Sequence, residues 1–90
     1  MNEVHKTTQF KKDFKRYRHQ PKKIEKVLKI IKMLENGIEI PQSYKPHPLT
    51  GNYKGCMECH IEGDFLLIWI DEKNNIIELV RLGTHSELFG

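Results

Sequence analysis

Six consecutive apolar residues, Phe65-Leu-Leu-Ile-Trp-Ile70, constrain the fold of this chain more than any other segment. Successive strand residues point to opposite faces, so an unbroken apolar run belongs to a central strand covered on both sides. Turn-forming residues bound it, Glu62-Gly63 before and Lys73-Asn74-Asn75 after. Further strands are expected at Tyr53–Ile61 and Ile76–Leu82.

Ahead of this β region the apolar period lengthens. Phe10, Phe14 and Tyr17 recur at i, i+4 and i+7, with Thr7 or Thr8 as the helix cap. Pro21 suits the first turn of a second helix. Its stripe is Ile24, Val27, Leu28, Ile31 and Leu34, and Asn36-Gly37 is the stop. Both stripes read as core rather than ligand site. Residues 2–6 form a short first strand. Residues 37–51, with Pro41, Pro46, Pro48 and Gly51, read as a loop that carries His47. The order β-α-α-β-β-β with a short C-terminal tail is an α+β arrangement. It packs two N-terminal helices on one face of a small, mostly antiparallel sheet. Ninety residues fill one domain, 1–90, and leave no room for a separate cofactor domain.

No apolar run approaches the roughly 20 residues of a membrane span. The N-terminal Met-Asn-Glu-Val-His-Lys lacks the apolar core of a signal peptide. A cytoplasmic protein is expected. The net charge of +3 conceals an asymmetry: residues 1–36 carry eleven Lys/Arg and four Asp/Glu, residues 37–90 four and eight. The basic half is either a solvated helical face or a surface for polyanions and acidic proteins.

Cys56 and Cys59 precede His60 in a Cys-x-x-Cys-His pattern, which is also the attachment signature of c-type haem. In a strand, however, residues three apart face opposite ways, so the two sulfurs diverge. That disfavours a disulfide, a shared metal or a haem. No second ligand pair completes a structural zinc site. Neither haem nor zinc is expected, and no cofactor.

The polar residues of the β region gather on one side. In the strand expected at Tyr53–Ile61, Lys54, Cys56, Glu58 and His60 share a face; Tyr53, Met57 and Ile61 share the other, assigned to the helices. Asp64 opens the next strand, Arg81 closes the last, and His85 and Phe89 follow in the tail. If the strands are neighbours, Glu58, His60, Asp64, Arg81 and His85 meet on one concave surface. Such residues fit RNA cleavage without a metal. A base takes the 2′-OH proton, an acid protonates the leaving 5′-oxygen, and a cation stabilises the phosphorane. Imidazole suits proton transfer, arginine suits phosphate, and an aromatic such as Phe89 stacks a base. Against this stand ordinary roles: His5 and His19 as surface residues, Arg81 as ion-pair partner of Glu58 or Asp64, Phe89 as a core plug, Asp64 as a turn residue.

The sequence resembles the YafQ-like branch of the RelE superfamily, toxins of bacterial type II toxin–antitoxin systems. The matching residues are Phe10-Lys-Lys-Asp-Phe-Lys15, His47-Pro-Leu-Thr-Gly51, Lys54-Gly55, Glu58-Cys-His-Ile61, Asp64-Phe-Leu-Leu-Ile68 and Arg81-Leu-Gly-Thr-His-Ser-Glu-Leu-Phe89. The resemblance implies a RelE-like fold and an endoribonuclease that cuts mRNA in the A site of the 30S ribosomal subunit, without metal. It also implies a cognate antitoxin partner. By position His85 matches a general acid, Arg81 a phosphate-stabilising arginine, and His47, His60 and Asp64 other catalytic residues. Phe89, Glu58, Lys54 and Phe65 are expected to contact substrate. Many relatives have Asp-Trp where this chain has Asp64-Phe65; Phe keeps a stacking face but loses the indole donor. The alternatives are a ParE-like toxin that poisons DNA gyrase on the same scaffold, and a non-catalytic RNA-binding module.

Overall fold

The computed structural model describes residues 1–90. Strand β1 (Glu3–Lys6) leads into helices α1 (Thr8–Arg16) and α2 (Pro21–Glu35). The remaining elements are β2 (His47–Pro48), β3 (Met57–Glu62), β4 (Phe65–Glu72), β5 (Ile76–Gly83) and a short helix α3 (His85–Phe89). Thr7 caps α1, its hydroxyl accepting from the Phe10 N–H at 3.0 Å, and Pro21 opens α2.

The sheet order is β1-β5-β4-β3-β2. β1 runs parallel to β5, and every other neighbouring pair is antiparallel. β4 is the central strand, as its continuous apolar run requires. Its Phe65, Leu67 and Trp69 pack against Phe10, Tyr17, Val27, Ile30 and Leu34 of the helices. Its Leu66 and Ile68 face the other way, into a smaller cluster with Cys56 and Leu88. Each fully buried large apolar side chain contributes about 1.5–3 kcal/mol, so the larger cluster dominates stability. The smaller one does a positional task, fixing α3 to the sheet through Leu88. Cys56 and Cys59 fall in different clusters on opposite faces, as strand parity demands.

Three local expectations need correction. In α2 the inward residue is Ile30, while Leu28 is 51% exposed. The strand expected from Tyr53 begins only at Met57. Gly51–Tyr53 forms a 3-10 turn, and Gly55 follows in the left-handed region at φ +92°, where only glycine sits without strain. The turn breaks the alternation assumed for this segment. Tyr53 therefore packs with Cys56 and Leu66 on the face away from the helices, and Lys54 is an exposed residue outside the strand. Finally, His47 lies not in an irregular loop but on the two-residue edge strand β2, paired with Glu58. No helix is long and apolar enough to cross a membrane.

Candidate active site

Sheet register lines up the polar residues. His47 pairs with Glu58, Glu58 with Ile68, and Ile68 with Arg81, one row across β2, β3, β4 and β5. His60, paired with Leu66, is two residues further along β3 on the same face.

Glu58 is the hub of the row. It is 3% exposed. Its Oε1 lies 3.1 Å from His47 Nε2 and 4.0 Å from His60 Nε2, while its Oε2 is buried without a hydrogen-bond partner. Each imidazole is held from behind. His47 Nδ1 is 2.7 Å from the Lys45 carbonyl, and His60 Nδ1 is 3.3 Å from the Gly63 carbonyl. A carbonyl only accepts, so Nδ1 carries the proton in both rings and Nε2 faces the carboxylate.

The third imidazole arrives with α3. The Thr84 hydroxyl accepts from the Glu87 N–H, and the Glu87 carboxylate accepts from the Thr84 N–H, a reciprocal cap that starts the helix. Asp64, in the tight turn between β3 and β4, accepts from the His85 N–H at 2.9 Å and from Nδ1 at 2.7 Å. Those two bonds, backbone first, hold the Asp64 carboxyl below its ordinary range. Nε2 of His85 points away from this contact, on an exposed side chain.

The rings form a chain: His47–His60 6.1 Å, His60–His85 6.0 Å, His85–Phe89 5.8 Å and Phe89–Tyr53 5.4 Å between centroids. Phe89 is 48% exposed and packs T-shaped with Tyr53.

Arg81 pairs with neither Glu58 nor Asp64. Its Nε and Nη2 donate to the fully buried Asp13 of α1 at 2.7 and 3.3 Å, and its Nη1 donates to the Tyr53 hydroxyl at 3.1 Å. The Tyr53 hydroxyl donates in turn to the Leu88 carbonyl at 3.3 Å. Asp13 also accepts from the Leu82 N–H at 3.0 Å, a strand donor left free where β1 has ended. The Asp13 bond, opposed by burial, raises the Arg81 pKa above its ordinary value, so the cation is permanent. Three of its five N–H groups are engaged; one on each terminal nitrogen stays available.

Of two further expected substrate contacts, one is buried and the other lies outside the strand. Phe65 is 2% exposed, with its ring 4.7 Å from that of Tyr17 and the Lys23 ammonium 4.8 Å from its centroid. It is a core residue with no free stacking face, because odd positions of β4 face the helices. Lys54 is an exposed residue that ends the 3-10 turn, ahead of β3. Asp13 and Tyr53 went unrecognised in the sequence. For Asp13 a signal existed: it stands at i+3 from Phe10, on the inward side of α1, and a carboxylate there needs a buried partner.

This layered fold, with an imidazole-rich sheet face opposite two basic helices, is that of bacterial toxins from type II toxin–antitoxin systems. The chain belongs to the YafQ family of those toxins: the family model described as "Bacterial toxin of type II toxin-antitoxin system, YafQ" matches residues 2–90. It is 35% identical over 83 residues to the mRNA interferase toxin YafQ of Escherichia coli K12, covering 91% of this chain and 89% of that protein. Its fold is similar to the toxin in the E. coli DinJ–YafQ complex, with a TM-score of 0.86, 32% identity and full coverage of both chains. It is equally similar to a metal-bound toxin from Helicobacter pylori, with a TM-score of 0.88, 36% identity, and 99% of this chain and 100% of that one covered.

Proposed function

We propose that this toxin is an mRNA interferase, an endoribonuclease that cuts mRNA on the ribosome by attack of a 2′-OH on the adjacent phosphate. One observation carries the reading: three imidazoles with preset tautomers and a fixed arginine share a single sheet face. The mRNA interferase name of the E. coli relative supports it.

His85 acts as the acid. Asp64 holds the Nδ1 proton and stabilises the imidazolium, whose second proton, on Nε2, goes to the leaving 5′-oxygen. Asp64 is then a positioning residue rather than a proton donor or acceptor. The His47–Glu58–His60 cluster takes the 2′-OH proton, and Arg81 stabilises the phosphorane with its two remaining N–H groups. Phe89, with its exposed ring, stacks a substrate base. Side chains fill all these roles.

The E. coli DinJ–YafQ complex supports a cognate antitoxin as the partner. The basic outer faces of α1 and α2 suit ribosomal RNA, by salt-sensitive attraction to phosphate. A cytoplasmic site of action follows from that substrate. Primer extension on mRNA from an in vitro translation reaction tests the reading. Discrete in-frame cuts are expected with the wild-type toxin. Intact mRNA together with blocked gyrase would overturn the nuclease in favour of the ParE-like alternative.

A further inference from the structure

We propose that Tyr53 is a positioning residue of the RNA-cleavage site: its hydroxyl ties the Arg81 guanidinium to the last turn of α3, and so fixes the phosphate-binding cation relative to Phe89. The proposal rests on the nuclease reading above and adds to it a residue that acts through Arg81 rather than on the reacting atoms.

Asp13 alone does not set the guanidinium. Its carboxylate takes Nε at 2.7 Å and Nη2 at 3.3 Å, two donors on one edge of the plane. A plane held by one edge still rocks about that edge. The far corner, Nη1, carries one of the two N–H groups left for a phosphate. The Tyr53 hydroxyl closes that corner, accepting from Nη1 at 3.1 Å.

The direction of the hydroxyl is settled by what lies beyond it. An arginine N–H only donates and a carbonyl only accepts, so the Tyr53 oxygen receives from Arg81 and donates its own O–H to the Leu88 carbonyl at 3.3 Å. That carbonyl lies in the last turn of α3, where no intrahelical N–H reaches it. The ring is held as well as the hydroxyl. It packs on the cluster of Cys56, Leu66, Ile68 and Leu88, and meets Phe89 in a T-shape at 5.4 Å.

This placement depends on the break ahead of β3. Tyr53 ends a 3-10 turn, its carbonyl accepts from the Cys56 N–H at 2.9 Å, and Gly55 turns the chain at φ +92°. A strand running unbroken from Tyr53 would turn the side chain towards the helices, out of reach of Arg81. One hydroxyl therefore joins β5, α3 and the turn before β3. Tyr53→Phe keeps the ring and its packing and removes only that oxygen; Nη1 and the Leu88 carbonyl each lose a partner.

Single-turnover cleavage of ribosome-bound mRNA by the full chain tests the role. Tyr53→Phe should slow cleavage at saturating toxin by about tenfold, with the half-saturating toxin concentration unchanged. Tyr44→Phe, a tyrosine packed on the larger cluster instead, should cleave as wild type does. In an Arg81→Ala background the Tyr53→Phe loss should vanish, because the two residues act as one unit. NMR of the Arg81 side chain gives a second readout that needs no cleavage. The two Nη1 protons should resolve separately where Tyr53 holds one of them, and merge in Tyr53→Phe. Circular dichroism separates a loosened arginine from a lost fold. Unchanged cleavage by folded Tyr53→Phe, an equal loss with and without Arg81, or a loss confined to half-saturation would each overturn the proposal. Nη1 protons that stay resolved in Tyr53→Phe would do so too, even where Arg81→Ala is too slow to follow. A wild type that never cleaves mRNA, yet whose Nη1 protons merge on Tyr53→Phe, would uphold the tie to Arg81 and sink the nuclease reading instead.

Discussion

Asp64 grips His85 twice through one oxygen: Oδ1 accepts from the backbone N–H at 2.9 Å and from Nδ1 at 2.7 Å. The first bond anchors the start of α3, and the second sets the ring's tautomer and direction. Both residues are more than half exposed, so the pair adds little to stability. Its contribution is orientation. Asp64→Ala is expected to lower kcat on ribosome-bound mRNA on the order of 10- to 100-fold with little change in KM, since misplacing an acid costs rate rather than binding. Asp64→Asn keeps an acceptor oxygen and should retain most of the rate. Equal kcat for Asp64→Ala and wild type would remove the positioning role.

Asp13 is the structural counterpart of the site. It is fully buried, joins α1 to β5, and holds Arg81 and the Leu82 N–H. Removing one partner of a buried pair strands the other charge and costs about 3–5 kcal/mol. Asp13→Ala should show that loss in urea denaturation. A change below about 1 kcal/mol would mean that water compensates Arg81 fully.

Gly83 ends β5 where α3 folds back over it. A Cβ there would stand 2.6 Å from Glu87 Oε1, the atom that closes the α3 cap. Gly83→Ala is therefore expected to destabilise by about 1–3 kcal/mol and to displace His85. In a Glu87→Ala background the added penalty of Gly83→Ala should shrink. Additive costs in the double mutant would show that the clash is not the cause.

Glu87 gives the protein an acid-sensitive clasp. Burial opposes its ionisation, but hydrogen bonds from the Tyr17 hydroxyl, the Thr84 N–H and Arg16 prevail and bring its pKa down to about 2 from an ordinary 4.5. A carboxyl depressed in the fold stabilises it above the unfolded pKa and loses that contribution as pH falls through the folded one. Stability from this group is thus complete above pH 4.5 and disappears between there and pH 2. Denaturation midpoints across that window should drop less steeply for Glu87→Gln than for wild type. Parallel slopes would show that the clasp is not protonated there.

Much of the architecture was legible because it depends on local pattern. The apolar run Phe65–Ile70 could only be a doubly covered strand, and the stripes through Phe10 and Val27 could only be helices facing it. The site was legible in its residue types and in the face shared by Glu58 and His60. What escaped depends on contacts remote in sequence or on broken parity. Asp13 and Arg81 are 68 positions apart, so no spacing rule joins them. Tyr53 changed faces because a 3-10 turn and Gly55 interrupt the strand alternation. Phe65 lost its expected substrate role because its place in β4, fixed by register with β3, turns it towards Tyr17.

The central claim is that His85 transfers a proton while cutting mRNA. The most direct measurement is single-turnover cleavage of ribosome-bound mRNA by wild type and His85→Gln, with antitoxin binding and circular dichroism as controls for fold. A lost general acid should slow cleavage by about 10²–10⁴-fold while antitoxin binding stays intact. Cleavage within a fewfold of wild type by a correctly folded His85→Gln protein would contradict the account.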